Sequence, residues 1–254
     1  MMKTIVWFLA FALALVAGSG APFAAGADKS PTAILDHVDD IYRGSSSHAK
    51  MTLHVVTAHA TRDMEIEAWS KGKDRFLIRI IGPEKERGTG TLKLGNNVWN
   101  YFPKIDRLTK ISASMMGGSW MGSHVTNGDL VKQSRMSADY DHKKTFEGAR
   151  DGTNVIELSL TPKPNAAVVW GKIVVTVRAE DMMPRTIVYY DEDGKLSQTT
   201  TFADYKTMGG RLVPSVMRVV PASKPKELTE IRYHSLEFNL PLNDDFFSQR
   251  NLQK

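Results

Sequence analysis

Short apolar or alternating segments, separated by tight-turn signals, run along most of the chain, and nowhere do strand and helix alternate in the βαβ manner. Lys71-Gly72-Lys73-Asp74, Gly95-Asn96-Asn97, Asp151-Gly152, Asp191-Glu192-Asp193-Gly194 and Gly209-Gly210 are turn sequences. Gly, Asn and Asp accept backbone angles that other residues resist. Before the midpoint the pattern predicts strands over Lys50–Ala60, Arg62–Ser70, Arg75–Ile81, Thr89–Leu94, Val98–Phe102 and Arg107–Ile111. After it come Asp141–Gly148, Asn154–Pro162, Lys172–Arg178, Pro184–Tyr190, Leu196–Thr207, Arg211–Val220 and Glu227–Leu240.

One helix is clear. Ser30 can cap Pro31–Tyr42, Pro31 suits the first helical position, and Ile34, Leu35, Val38 and Ile41 recur at helical spacing. Gly44 and the serine run after it end the helix. Asp129 could cap a second, short helix from Leu130 to about Ser137. A sheet this long is expected to curl, because closure or near-closure also removes exposed edges. The predicted fold is mainly β with some α, a strongly curved antiparallel sheet holding the first helix in its hollow. A two-sheet sandwich is the alternative. No long linker interrupts the pattern, so residues 28–254 are expected to form a single domain.

The first 27 residues read as a cleaved signal peptide. Lys3 supplies the positive charge, Ile5–Ala17 is apolar throughout, and Ala25-Gly26-Ala27 fits small-x-small cleavage before Asp28. The apolar run is shorter than the roughly 20 residues a bilayer span needs. An exported chain with no cysteine has no disulfide framework and no thiolate nucleophile, which suits a bacterial periplasm. The formal charge of +5 is mild and its Lys and Arg are dispersed, so nucleic acid is not an expected partner.

Catalytic patterns are not apparent. The histidines His37, His48, His54, His59, His124, His142 and His234 form no HxxxH or HExxH spacing. Ser119 and Ser123 lie in no GxSxG elbow. Asp191 and Asp193 belong to a hairpin turn rather than a calcium loop. The expected protein is not an enzyme and has no metal or cofactor.

The segment from Met115 to Gly122 carries more information. Met115, Met116, Trp120 and Met121 make it too apolar for an ordinary solvent loop, while Gly117, Gly118 and Gly122 make it too loose for a firm helix. It is expected to cover or line the mouth of an apolar cavity, as a lid that binds acyl chains by area; an ordinary part of the core is the alternative.

The surrounding run FLIRIIGPEKERGTGTLKLGNNVWNYFPKIDRLTKISASMMGGSWMGSHVTNGDL resembles outer-membrane lipoprotein-sorting-like proteins, relatives of the periplasmic lipoprotein carrier LolA. The resemblance extends from about Ile34 to Leu242. Arg79, Gly88, Gly90, Trp99, Tyr101, Pro103, Ser114, Met115, Gly122 and Asp129-Leu130 are the matching positions. His124 and Gly128 stand where the family more usually has acidic residues. The resemblance implies an unclosed antiparallel barrel with helices on its concave side and a hydrophobic cavity. It further implies a periplasmic carrier that shields the acyl chains of a lipid or lipid-modified protein. Such a carrier receives cargo from an inner-membrane transporter and passes it to an outer-membrane acceptor. Cavity or lid positions would be Trp99, Tyr101, Met115, Met116, Trp120 and Met121. Polar or hinge positions would be Arg79, Gly117, Gly118, Gly122 and Asp129. An envelope sensor that binds lipoprotein components is the alternative function.

Overall fold

The computed structural model describes residues 29–116, 118–127, 136–166 and 168–254. The expected signal peptide, Gly117, the Asp129 cap and most of the helix expected after it lie outside these residues.

Helix α1 spans Pro31–Asp40, and the Ser30 side chain accepts the Ala33 amide at 3.3 Å. Thirteen strands follow among the described residues. The first six are β1 (Ser46–Val56), β2 (Thr61–Lys71), β3 (Arg75–Gly82), β4 (Gly90–Leu94), β5 (Asn97–Phe102) and β6 (Arg107–Lys110). A helical turn, Met136–Asp139, leads into β7 (Tyr140–Arg150), β8 (Thr153–Pro162) and β9 (Lys172–Arg178). The last four are β10 (Pro184–Tyr190), β11 (Leu196–Met208), β12 (Arg211–Pro221) and β13 (Leu228–Phe238). Ser46 and Ser47 of the serine run belong to β1. Ser46 Oγ donates to the Leu240 carbonyl at 2.6 Å, and Ser47 shares a 2.6 Å hydroxyl bond with Ser70 across the strands.

All thirteen strands form one sheet in the order β6-β5-β4-β3-β2-β1-β13-β12-β11-β10-β9-β8-β7. This corrects the expected strongly curved half-barrel. The sheet is open and not strongly curled, and β6 and β7 end the order without meeting. It is not a two-sheet sandwich either. Closure is one way to protect sheet edges. The chain instead uses a four-residue edge at β6, and at β7 a charged edge with a register shift between Lys144 and Phe146. Shortness, charge and bulges are the other ways to blunt an edge.

Alternation gives the sheet two distinct faces. Cross-strand partners share a face, so Leu53, Met64 and Ile231 lie together, as do Met51 and Ile66. On this face, toward β7, Ile34 and Leu35 of α1 are fully buried against Tyr140, Ile156, Leu158 and Val175. The opposite face carries Trp69, Leu77, Leu92 and Trp99, paired in that order across β2 to β5. The C-terminal segment covers it, packing Leu242, Phe246, Phe247 and Leu252 there. Lys71 and Arg75 hold this segment through Asp244 at 2.8 and 2.7 Å.

Candidate functional site

Two apolar clefts open on the helix-bearing face. The first holds about 330 Å³ and lies over β1, β2, β3 and β13, with Ala49, Met51, Ile66, Ala68, Trp120 and Ile231 in its lining. The second holds about 340 Å³ and lies over β9 to β12, with Trp170, Ile187, Tyr189, Phe202, Met217 and Val219. Met217 of the second pairs directly with Ile231 of the first, so the clefts are neighbours on one surface. Tyr42 and Val125 line both.

Tyr42 follows α1 and is held at both ends of its ring. It stacks on Tyr233 with centroids 4.8 Å apart, and its hydroxyl donates to the Pro214 carbonyl at 2.8 Å. Burial, then the neighbouring Tyr233 and Tyr205, push its pKa up, so it remains a neutral donor. Tyr140, which lines the second cleft, is pushed up to about 12, mainly by burial. Trp170 and Tyr189 meet at 5.1 Å in the same cleft. Tyr42→Phe keeps the stack and removes the hydroxyl bond. It is expected to cost about 1 kcal/mol, a fall in Tm of about 2–4 °C on thermal denaturation.

The segment approaching Asn127 contributes Trp120 and Val125 to the lining of the first cleft. Trp120 is 5% exposed and packs with Leu53, Val55, Met64, Ile66 and Ile80. Its indole donates to Thr91 Oγ1 at 3.0 Å, and Thr91 donates to Asn100 Oδ1 at 2.8 Å. The segment is also tied to itself. The Trp120 amide donates to the Val125 carbonyl at 2.8 Å, and Ser123 Oγ donates to the Trp120 carbonyl at 2.7 Å. Ser119 Oγ donates to the Ser123 carbonyl, and the Arg62 guanidinium donates to the Met121 carbonyl.

His124 anchors the segment to β13. Its amide donates to Thr229 Oγ1 at 2.9 Å, and its Nε2 lies 3.0 Å from Glu227 Oε2. An ionised carboxylate only accepts, so Nε2 carries the proton. Nδ1, 2.9 Å from Thr229 Oγ1, then accepts the threonine hydroxyl when the ring is neutral. Glu227 also accepts from the Ala58 amide at 3.1 Å and from Lys224 at 3.4 Å. The hydrogen bond from His124, aided by Ala58 and Lys224 and opposed by burial, holds the Glu227 carboxyl below its ordinary value. A lowered folded-state pKa means the stabilisation is complete above the unfolded value near 4.3 and is lost as pH falls through the folded one. Thermal melts from about pH 7 to about pH 3 should therefore show wild type above Glu227→Gln, with the gap shrinking below about pH 5. A gap that stays constant over this range would count against the anchor.

The expected site residues separate into distinct places. Trp120 lines the first cleft. Met121, with φ +50°, borders a separate surface cleft beside Arg62, Glu86 and Phe102. Met115 is 41% exposed and Met116 half-buried. Gly118 accepts the Asn127 amide at 2.9 Å through its carbonyl, and Gly122, with φ +68°, lies against the Arg62 guanidinium. Trp99 and Tyr101 face the other way, beneath the C-terminal segment. Arg79 shares that face and donates to the Asn251 carbonyl at 2.5 Å. Gly117 and Asp129 lie outside the described residues. No motif or spacing in the sequence marks Tyr42, Tyr233, Tyr189, Trp170, Glu227 or Thr229 as site residues. Tyr42 closed the predicted helix, and that terminal aromatic was the one available signal. Among the described residues no group of three or more His, Cys, Asp or Glu side chains is placed to hold a metal ion.

Residues 72–254 match a family model described as "Uncharacterized protein". Comparison with curated proteins finds no match. Several solved structures are similar. A DUF1329 family protein from Desulfovibrio piger superposes with a TM-score of 0.77 at 22% identity, covering 87% of this chain and 97% of that one. A domain from Vibrio parahaemolyticus that carries the name outer membrane lipoprotein-sorting protein gives 0.74 at 22%, over 88% of this chain and 98% of that one. A LolA superfamily protein from Nitrosomonas europaea gives 0.69 at 21%, over 86% and 97%. The likeness to these three is one of fold.

Proposed function

We propose that this chain, which belongs to the "Uncharacterized protein" family matched over residues 72–254, is a non-enzymatic carrier that shields acyl chains of a lipid or lipid-modified protein. The observation that carries the reading is the pair of adjoining apolar clefts of about 330 and 340 Å³ on one sheet face. Binding pockets run from about 300 to 1,000 Å³, and the two together fall inside that range. Their walls are mainly aliphatic, aromatic and methionine side chains, which stabilise a hydrocarbon chain by about 25 cal/mol per Å² removed from water. Such binding rewards area and imposes little direction, which suits a cargo that must be released.

The fold likeness to a LolA superfamily protein and to a domain named for lipoprotein sorting supports the same reading. Within it, residues 1–27 are a signal peptide removed before Asp28, and 28–254 are one periplasmic binding domain. The donor is an inner-membrane transporter and the acceptor an outer-membrane component. Transfer requires only that the acceptor bind the cargo more tightly than the clefts do.

The protein purified from its own periplasm should begin at or near Asp28 and should release lipid on solvent extraction, with the complex visible by native mass spectrometry. Binding of a fluorescent fatty acid should survive treatment with a chelator. Protein that carries no lipid and takes up no probe would sink the proposal.

A further inference from the structure

We infer that the cargo is a two-chain lipid, with one acyl chain seated in each cleft and Tyr42 standing between them. This rests on the carrier reading and adds the number of chains to it. The two clefts are nearly equal, at about 330 and 340 Å³. Each cleft alone lies at the lower end of the roughly 300–1,000 Å³ range of ligand pockets, room for one hydrocarbon chain.

Tyr42 and Val125 are the residues common to both linings, and both are fastened. Tyr42 is stacked on Tyr233 at 4.8 Å and bonded to Pro214 at 2.8 Å. Val125 is held through its carbonyl to the Trp120 amide at 2.8 Å and through its amide to Ser123 Oγ at 3.1 Å. One long chain threading both clefts would have to displace this partition. Two chains on a single head straddle it and leave every one of those contacts in place. The polar groups Gln198, Thr200 and Asp39 in the second lining leave the first cleft the more apolar of the two.

Joining two chains makes the second binding event intramolecular, which raises affinity by about 10²–10⁴-fold without a new contact. The full chain, stripped of lipid, is titrated with dodecanoate, with a lauroyl lysophospholipid and with its dilauroyl counterpart, and read by native mass spectrometry and probe displacement. The expected result is two dodecanoates per protein, one diacyl lipid, and a diacyl affinity at least about a hundredfold above that of the single-chain lipid. Ala68→Phe fills the first cleft and Val219→Phe the second. Each should leave one dodecanoate site and abolish the diacyl preference. If either variant does not fold, the wild-type stoichiometry and the affinity ratio decide the matter. One dodecanoate per protein, or equal affinities for the two phospholipids, would overturn the two-chain inference and leave the carrier reading intact. Uptake of none of the three lipids would overturn both.

Discussion

Trp120→Ala is expected to lower the unfolding free energy by about 3–5 kcal/mol, the usual cost of removing a buried large aromatic. For a chain of this length that corresponds to a fall in Tm of about 6–20 °C. The reason is position. Trp120 is 5% exposed and fills the space between Leu53, Val55, Met64, Ile66 and Ile80, strand residues that cannot close up behind it. Its indole N–H is also matched to Thr91 at 3.0 Å, a partner a smaller apolar residue would not replace. Trp120→Phe keeps much of the area and loses the hydrogen bond, so its deficit should be clearly smaller. Met115→Ser, at an exposed neighbour, should change stability by no more than about 0.5 kcal/mol. Melting followed by circular dichroism separates the three. A Trp120→Ala protein that melts like wild type would show that the segment rests on the sheet only loosely.

Gly171→Val should cost about 3 kcal/mol or more, toward the upper end of what forced overpacking costs. Gly171 immediately precedes β9, beside the end of β10, and its amide donates to the Tyr190 carbonyl at 3.0 Å. A Cβ there would lie 2.4 Å from the Asp191 carbonyl oxygen and 2.8 Å from the Glu192 Cα. Both are backbone atoms, so no change of rotamer relieves the collision and the two strands must splay. Trp170 precedes this glycine and meets Tyr189 on the facing strand, so the second cleft should widen along with the corner. A lowered urea midpoint with weakened uptake of a fatty-acid probe is the expected pair of results. An unchanged midpoint would mean that the turn at Asp191–Gly194 yields more readily than its close approach implies.

Much of the strand layout was legible because the turns are written in residue chemistry. Lys71–Asp74, Asp151-Gly152, Asp191–Gly194 and Gly209-Gly210 each separate two strands within a few residues of the expected places. Alternation also shows which residues of one strand share a face. It carries no measure of how far a sheet bends, so the expected curl had no support in the pattern itself. Nor does it relate a strand to a loop. Trp99 and Trp120 looked alike as aromatics near one segment, yet Trp99 is fixed by β5 to one face and Trp120 drops from a loop onto the other. The partition between the clefts joins Tyr42 to Tyr233, and no spacing rule links residues that far apart. His124 gave no metal or catalytic pattern because its partners, Glu227 and Thr229, come from the far end of the chain.

The sheet order places the first strand beside the last. β1 pairs with β2 on one side and with β13 on the other, from Ser47 opposite Phe238 to Val56 opposite Leu228. Every other ladder joins strands consecutive in the chain, so β1 to β6 and β7 to β13 are two meanders built by local hairpins. Local pairing forms readily, whereas the seam between the meanders must close the longest loop in the molecule. A chain delivered N-terminus first can zip β1 through β6 long before β13 arrives. During that interval β1 is a naked edge, with Met51, Leu53 and Val55 on one of its faces and open backbone groups along its length. Such an edge is a template for a second chain. The last strand therefore also acts as a stopper, and chains interrupted before Leu228 are the ones that should clump.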